Sequence, residues 1–368
     1  MRVLVCPDKF KGSLSAAEAA DAIATGLKAA GADVDIAPIA DGGEGTLDAL
    51  VAAVGGGVMG VIARGPLGVP VRAHVALLSD NSAVVELSQA SGLRLVAERE
   101  RDPMRATTVG TGEMMKAALA RRPARLLVAI GGSATVDGGT GLARALGLRF
   151  LDESGNDVAE GGEGLERITA IDNARLDPRM IATPMIVASD VMSPLIGPDG
   201  AARVYGPQKG ATAAMVPILE RGLEVLGNRI EADLHVNVFE RAGAGAAGGA
   251  GAMLIGLGGD LRSGAEVVCE AVGFAERVKE AHLVVTGEGR LDRSTLAGKG
   301  PAVVARLAAE AGVPCVAFVG QVEDGLESPF DEVRTLAEYS GSVEEATARA
   351  RQGLQALAAR LVSNRRRA

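Results

Sequence analysis

Short, uninterrupted apolar runs recur along the chain, each set apart from the next by helical or turn-rich sequence. They are Val3–Cys6, Leu126–Ile130, Met185–Ala188, Leu283–Val285 and Val316–Val319. A strand with one wet face alternates apolar and polar residues; these runs do not, so parallel strands covered on both faces are expected. Ser15 and Glu18 form a capping box opening a helix with Ala16, Ala19, Ile23, Leu27 and Ala30 on its apolar face, and Gly31 stops it. A further strand at Val34–Pro38 feeds a glycine loop and a helix carrying Leu47, Leu50, Val51 and Val54. Val216, Leu219, Leu223, Leu226 and Ile230 mark a long central helix. Ser342 and Glu345 cap another, running through Val343, Ala346, Ala350, Leu354, Leu357 and Leu361.

The pattern changes between about Gly65 and Val109, where turn signals (Gly65-Pro66, Asp80-Asn81) and short strands suggest an antiparallel or mixed segment. Phe150–Gly162 reads as a hairpin turning at Ser154-Gly155. With 368 residues the chain has room for about two domains of ~100–200 residues. The expected fold class is α/β: a doubly wound, mostly parallel sheet domain of the Rossmann/flavodoxin-like kind, with a second α/β domain inserted and an active cleft between them. Residues 1–64 and 278–368 are assigned to the first, and 65–277 to the second.

Composition narrows the function. Fifty glycines stand where ~7% usage gives roughly 26, so tight turns or close backbone approaches to a ligand are numerous. Six Phe, two Tyr and no Trp leave few stacking platforms for single-stranded nucleic acid, and a net charge of −8 gives no phosphate-backbone footprint. Arg365, Arg366 and Arg367 read as a solvated helix end. Cys6, Cys269 and Cys315 lie too far apart for a metal knuckle or disulfide framework, and Cys6 and Cys315 fall within apolar runs. No leader precedes the first strand and no apolar stretch spans a bilayer, so a cytoplasmic location is expected.

Chemistry concentrates after the strands. PDKFKGSL follows the first, ADGGEGT the second, GGSATVDGG the Leu126 run, Ser189-Asp190 the Met185 run and TGEGRLD the Leu283 run. Open parallel sheets bind ligands outside the carboxyl ends of their strands. Glycines let backbone N–H groups reach phosphate oxygens, carboxylates hold Mg²⁺ or take a hydroxyl proton, and lysines neutralise a migrating phosphoryl group. Lys11, Lys209 and Lys299 each lie in a glycine-containing loop. Each feature also has a plainer reading. Asp8, Asp41 and Asp137 suit helix caps, GAGAAGGAG (243–251) suits a closely packed helix start, Lys9 and Lys209 suit solvated surface, and Asp292 suits a surface ion pair. The coincidence of glycine, acid and lysine at so many strand ends favours a site.

Other chemistries lack support. His74, His235 and His282 show no H-E-x-x-H spacing, and no G-x-S-x-G elbow is present. Gly298-Lys299 lacks the upstream glycine of a Walker A loop, and Pro7–Leu14 is no dinucleotide fingerprint.

Eight collinear strings complete the pattern: PDKFKGSL, ADGGEGT, RDPMRATTVGTGE (Arg101 to Glu113), GGSATVDGG, the Asp190 loop, YGPQKGA (Tyr205 to Ala211), GAGAAGGAG and TGEGRLD with Gly298-Lys299 behind it. In these the chain resembles the bacterial glycerate kinases of the first type along nearly its whole length. The resemblance implies Mg²⁺-ATP as phosphoryl donor, D-glycerate as acceptor and 2-phosphoglycerate as product. A 3-phosphoglycerate-forming kinase, or a kinase of another small hydroxy acid, is the alternative; a non-enzymatic sensor of glycerate or nucleotide ranks behind both, because every loop keeps its acids. Its partners are then the small molecules D-glycerate and ATP and, as an assembly, a homodimer; neither nucleic acid nor membrane is expected.

Under that resemblance Gly131, Gly132 and Ser133 would cradle phosphates, with Gly243 and Gly245 a second cradle, and Thr135, Asp137 and Lys299 on the nucleotide side. Asp190 would ligate Mg²⁺ or orient the attacking hydroxyl, with Asp41 its competitor. Lys11 or Lys209 would bind the glycerate carboxylate or the migrating phosphoryl group. Glu288 and Asp292 would complete metal or ribose contacts, Asp292 as the second metal ligand. Three positions depart from the family pattern: Lys9 for Ser, Val136 for Asn and Ser294 for Gln.

Overall fold

Burial explains the first strand: Val3, Leu4, Val5 and Cys6 are all sealed from solvent, so both faces of β1 (Arg2–Pro7) are covered. The computed structural model describes residues 1–296, 298–337 and 343–365. Ser342 of the expected capping box, and Arg366 and Arg367, lie outside the described residues. The chain divides into two compact units: Met1–Asp41, Asp48–Ala53 and Ser263–Ala368 form one, Gly42–Leu47 and Val54–Arg262 the other.

In the first unit β1 pairs in parallel with β2 (Asp33–Ile36) on one side and with β11 (Leu283–Leu291) on the other. Beyond β11 lie β12 (Cys315–Val322) and β13 (Glu332–Thr335), also parallel. The order β2-β1-β11-β12-β13 is the flavodoxin-like arrangement, reversing direction between β1 and β11. The helices Ala16–Ala29 and Ala350–Arg365 pack on one face, where Ile23, Leu27, Leu354 and Leu361 join Val3, Val5 and Phe318 in one cluster. Helix Gly300–Glu310 packs against β1, β11 and β12.

The second unit has a six-stranded sheet in the order β10-β9-β6-β5-β4-β3. β3 (Gly56–Arg64), β4 (Pro70–Leu78) and β5 (Ser82–Glu86) are antiparallel neighbours. β5, β6 (Arg125–Ala129), β9 (Met185–Ala188) and β10 (Asp260–Arg262) then run in parallel. This is the mixed segment that the turn signals after Gly65 foretell. Its first strand, β3, lies before them. Helix Met215–Leu234 buries Leu219, Leu223, Leu226 and Ile230, the expected stripe.

Local signals held where the partner is also local. Ser15 accepts the Glu18 N–H while the Glu18 carboxylate accepts the Ser15 N–H, the reciprocal cap expected. Three expectations are corrected. TGEGR is not a loop: β11 continues through it to Leu291, beside β12. Gly287 permits this, since a Cβ there would lie 2.0 Å from the Phe318 carbonyl oxygen. The Phe150–Gly162 hairpin does turn at Ser154-Gly155 but is confined to one antiparallel bridge, Leu151 with Asp157, since β7 (Arg149–Leu151) takes β8 (Ala170–Asp172) as its ladder partner. The C-terminal stripe is two helices, Val343–Ala348 and Ala350–Arg365.

Candidate active site

The first unit gathers acids at the carboxyl edge of its sheet. Pro7 is in register with Gly287, and the Asp8 N–H donates to the Gly287 carbonyl at 2.8 Å, so Asp8 and Glu288 follow side by side on adjacent strands. They stand at the point where strand order reverses, the usual ligand position of such a sheet. The β2 ladder continues past its strand, with the Ile39 N–H on the Pro7 carbonyl (3.0 Å), and brings Asp41 to this edge. There Lys9 Nζ pairs with Asp41 Oδ1 at 2.9 Å.

Burial sets the electrostatics. Asp8 is 5% exposed; burial first, then the Asp41 charge, raises its carboxyl to about 7 against the pull of Lys9 and Lys299. Glu288 is 8% exposed and is likewise raised to about 7, by burial above all, with a Thr295 hydrogen bond opposing. Its Oε1 is buried with no hydrogen-bond partner among the described residues. Lys299 caps helix Gly300–Glu310 with extended backbone. Asp292 accepts the Thr295 N–H (3.2 Å) while Thr295 Oγ1 accepts the Asp292 N–H (3.3 Å), so it caps its short helix. Lys11 is exposed on a tight turn closed by the Phe10–Leu14 pair.

The second unit supplies a glycine loop after β6. Gly131 donates its N–H to the Gly42 carbonyl (3.1 Å), and a Cβ on Gly131 would lie 2.6 Å from the Gly43 Cα. ADGGEGT and GGSATVDGG are thereby pressed together backbone to backbone. Lys209, 3% exposed, reaches into this loop: its Nζ donates to Ser133 Oγ (2.7 Å) and the Thr135 carbonyl (2.8 Å). Burial lowers its pKa from 10.5 to about 7, with Asp137 opposing. Lys209 is therefore not the solvated lysine that the plainer reading allows.

Asp137 anchors the loop. Oδ2 accepts from the Thr108 N–H (2.8 Å), Thr108 Oγ1 (2.7 Å) and the Gly141 N–H (3.3 Å), and Oδ1 from the Gly139 N–H (3.1 Å). Burial nonetheless raises its pKa. Protein donors take up these oxygens, so the carboxylate is placed as a cap and strut rather than toward a nucleotide. Gly243 and Gly245 serve packing instead of an open second cradle. A Cβ on Gly245 would lie 2.1 Å from the Pro194 carbonyl oxygen, and its N–H is already on the Ser193 carbonyl (3.0 Å). The glycine tract thus seats the loop that carries Asp190 after β9. Asp190 is half-buried there, next to Ser189, whose N–H extends the ladder to the Arg262 carbonyl.

Among the described residues no three His, Cys, Asp or Glu side chains converge as a metal-holding group. Of the expected metal ligands, Asp190 belongs to the second unit and Asp292 to the first. Thr135 is fully buried, its Oγ1 without a hydrogen-bond partner among the described residues. The sequence reading gave Asp8 no role beyond that of a helix cap and did not single out Glu86. Asp8 was legible only from its place just after the first strand. Glu86, at the end of β5, accepts the Leu47 N–H at 2.7 Å and so holds the start of helix Thr46–Val54. Of the departures, Val136 is fully buried in the core and Lys9 is the partner of Asp41; the Ser294 side chain lies outside the described residues.

The family model described as the glycerate kinase family matches residues 3–365. A glycerate kinase of Bacillus subtilis (strain 168) is 46% identical over 326 residues, 88% of this chain and 85% of that protein. A glycerate 2-kinase of Escherichia coli (strain K12) is 40% identical, covering 94% and 93%. A crystal structure from Salmonella typhimurium LT2, of a protein assigned as glycerate kinase 2, superposes with a TM-score of 0.86 at 40% identity, over 100% of this chain and 98% of that one.

Proposed function

The chain belongs to the glycerate kinase family, and on that premise we propose that it transfers the γ-phosphoryl group of ATP to the 2-hydroxyl of D-glycerate, giving 2-phosphoglycerate. It is a phosphotransferase with an alcohol group as acceptor. The observation carrying the finer reading is Lys209, an ammonium held on Ser133 and Thr135 inside a glycine loop. Such a group has one evident use, to meet negative charge that a ligand brings. Gly131, Gly132 and Ser133 then offer N–H and hydroxyl donors to phosphate oxygens, while Asp137 keeps the loop in shape.

The acids of the first unit fit a small hard cation. Mg²⁺ is held by one or two carboxylates together with substrate phosphates. Glu288 presents a buried oxygen without a hydrogen-bond partner among the described residues, and Asp8 stands beside it. When bound, the cation would neutralise phosphate charge. Glu288 and Asp8 would hold it, while Lys11 and Lys299 add positive charge for the transferring group. Asp190 would orient the attacking hydroxyl and accept its proton. Catalysis is then positioning and charge neutralisation, which phosphoryl transfer chiefly requires. No described helix is long and apolar enough to cross a membrane. The three cysteines are buried thiols, which suits a reducing cytoplasm.

The test is to incubate the protein with ATP, Mg²⁺ and D-glycerate and read the product by phosphorus NMR. A doublet, from one carbon-bound proton, is expected. A triplet would move the reaction to the 3-hydroxyl, and absence of phosphoglycerate would remove glycerate as the acceptor.

A further inference from the structure

We propose that a cavity of about 140 Å³ in the second unit, between the turn at Pro66–Gly68 and the segment Arg105–Thr107, receives the carboxylate of the hydroxy acid. This rests on the kinase reading above and adds to it the place where the acid is recognised.

Location supports it first. Arg64, the last residue of β3, pairs with Pro70, the first of β4, so the cavity lies at that end of the hairpin. β4 is antiparallel to β5, with Val75 opposite Val85, and Glu86 is level with Ala129 of β6. The cavity is therefore on the same sheet edge as the 131–139 glycine loop. The two are also linked through neighbouring residues. Thr107 gives its N–H to the Pro66 carbonyl (2.9 Å), and Thr108 is bonded twice to Asp137 of that loop.

Size and charge then select the ligand. The volume is far below the ~300–1,000 Å³ of drug-sized sites, too small for a nucleotide and suited to a three-carbon acid. The lining residues include two arginines, Arg64 and Arg105, and one acid, Glu160, so the lining itself carries one positive charge over; Glu113 Oε2 accepts the Arg64 N–H (2.7 Å) beside it. Arg64 Nη2 lies 2.7 Å from both Glu160 oxygens, which fixes that guanidinium. Its Nε is buried with no hydrogen-bond partner among the described residues, and Arg105 is exposed. A guanidinium fork matches a carboxylate in geometry as well as charge. The same fork would accept a nucleotide phosphate, so the experiment separates the two anions.

Steady-state kinetics on the full-length protein, varying D-glycerate and ATP separately, decides the matter. Arg105→Ala should raise KM for D-glycerate by about 10- to 100-fold with KM for ATP unmoved, and Arg105→Lys should recover part of the loss. Glu160→Gln should act oppositely, lowering KM for D-glycerate several-fold by releasing Arg64. A merely structural ion pair would not improve substrate binding when broken. A rise in KM for ATP alone would overturn the carboxylate assignment in favour of phosphate. An unchanged KM for D-glycerate in Arg105→Ala would overturn the cavity while leaving the kinase reading intact. Calorimetry with D-glycerate alone separates the two readings. Binding by wild type and not by Arg105→Ala, without turnover, would keep the cavity and reject the kinase assignment.

Discussion

Replacing Lys209 by methionine probes the most unusual electrostatic position in the second unit. The ammonium makes two charge-assisted hydrogen bonds, at 2.7 and 2.8 Å, yet burial still drives its pKa from 10.5 to about 7. At ~1.36 kcal/mol per pH unit that gap costs the charged form about 5 kcal/mol. The folded-state pKa lies below the unfolded one, so between them the unfolded chain binds the extra proton and stability rises with pH. The gain is complete above the unfolded value, is lost as pH falls, and vanishes once both states are protonated. From pH 7 to pH 9 wild type should gain about 2 kcal/mol that Lys209→Met does not. Urea unfolding of both proteins at the two pH values measures this difference of differences. An equal change in the two proteins would refute the argument, because it would mean that the fold does not dehydrate this ammonium. Turnover supplies the second readout: kcat should fall by about 100-fold or more if the group meets phosphoryl charge.

Gly131→Ala should push the glycine loop off Gly43, costing about 1–3 kcal/mol of stability and raising KM for ATP more than KM for D-glycerate, as separate titrations would show. Glu288→Gln should increase the Mg²⁺ concentration needed for half-maximal activity by roughly tenfold with little loss of stability; an unmoved Mg²⁺ titration would remove Glu288 from the cation site. Asp190→Ala should cut kcat by about 100-fold or more while thermal unfolding stays near wild type, and near-normal turnover would reject its role. Asp137→Ala should unfold more readily by about 3 kcal/mol, since it strips acceptors from buried donors, and the loss should show in urea melts before it shows in KM.

What the sequence made legible follows from the range of the forces involved. The Ser15–Glu18 cap and the Leu219–Ile230 stripe depend on residues within a few positions, and both stand as read. The extension of β11 through Gly287 was hidden because its stabilising partner, β12, is distant in sequence and glycine has a poor strand preference of its own. The same holds for function. Glycine, acid and lysine at strand ends located the candidate loops, but burial sorts their roles. Asp137 and Asp8 look alike in sequence. One is consumed by donors from Thr108, Gly139 and Gly141, while the other shares an edge with Glu288, whose Oε1 has no partner among the described residues. Arg105 lies within the RDPMRATTVGTGE string but was given no role there, since nothing local distinguishes a cavity wall from any exposed arginine.

The pairing of β1 with β11 also bears on how the chain reaches its fold. Leu4 lies against Val284, so during synthesis this strand waits for a neighbour 280 residues later. At ~5–20 residues per second that wait is roughly 15 to 60 s. Throughout it β1 has only β2 and helix Ala16–Ala29 for cover, with the opposite edge of an apolar strand open. The second unit is nearly continuous in sequence and can form during the interval. Nascent chains arrested before Leu283 should therefore be the species most dependent on chaperones, and the first unit the last part of the protein to acquire resistance to proteolysis.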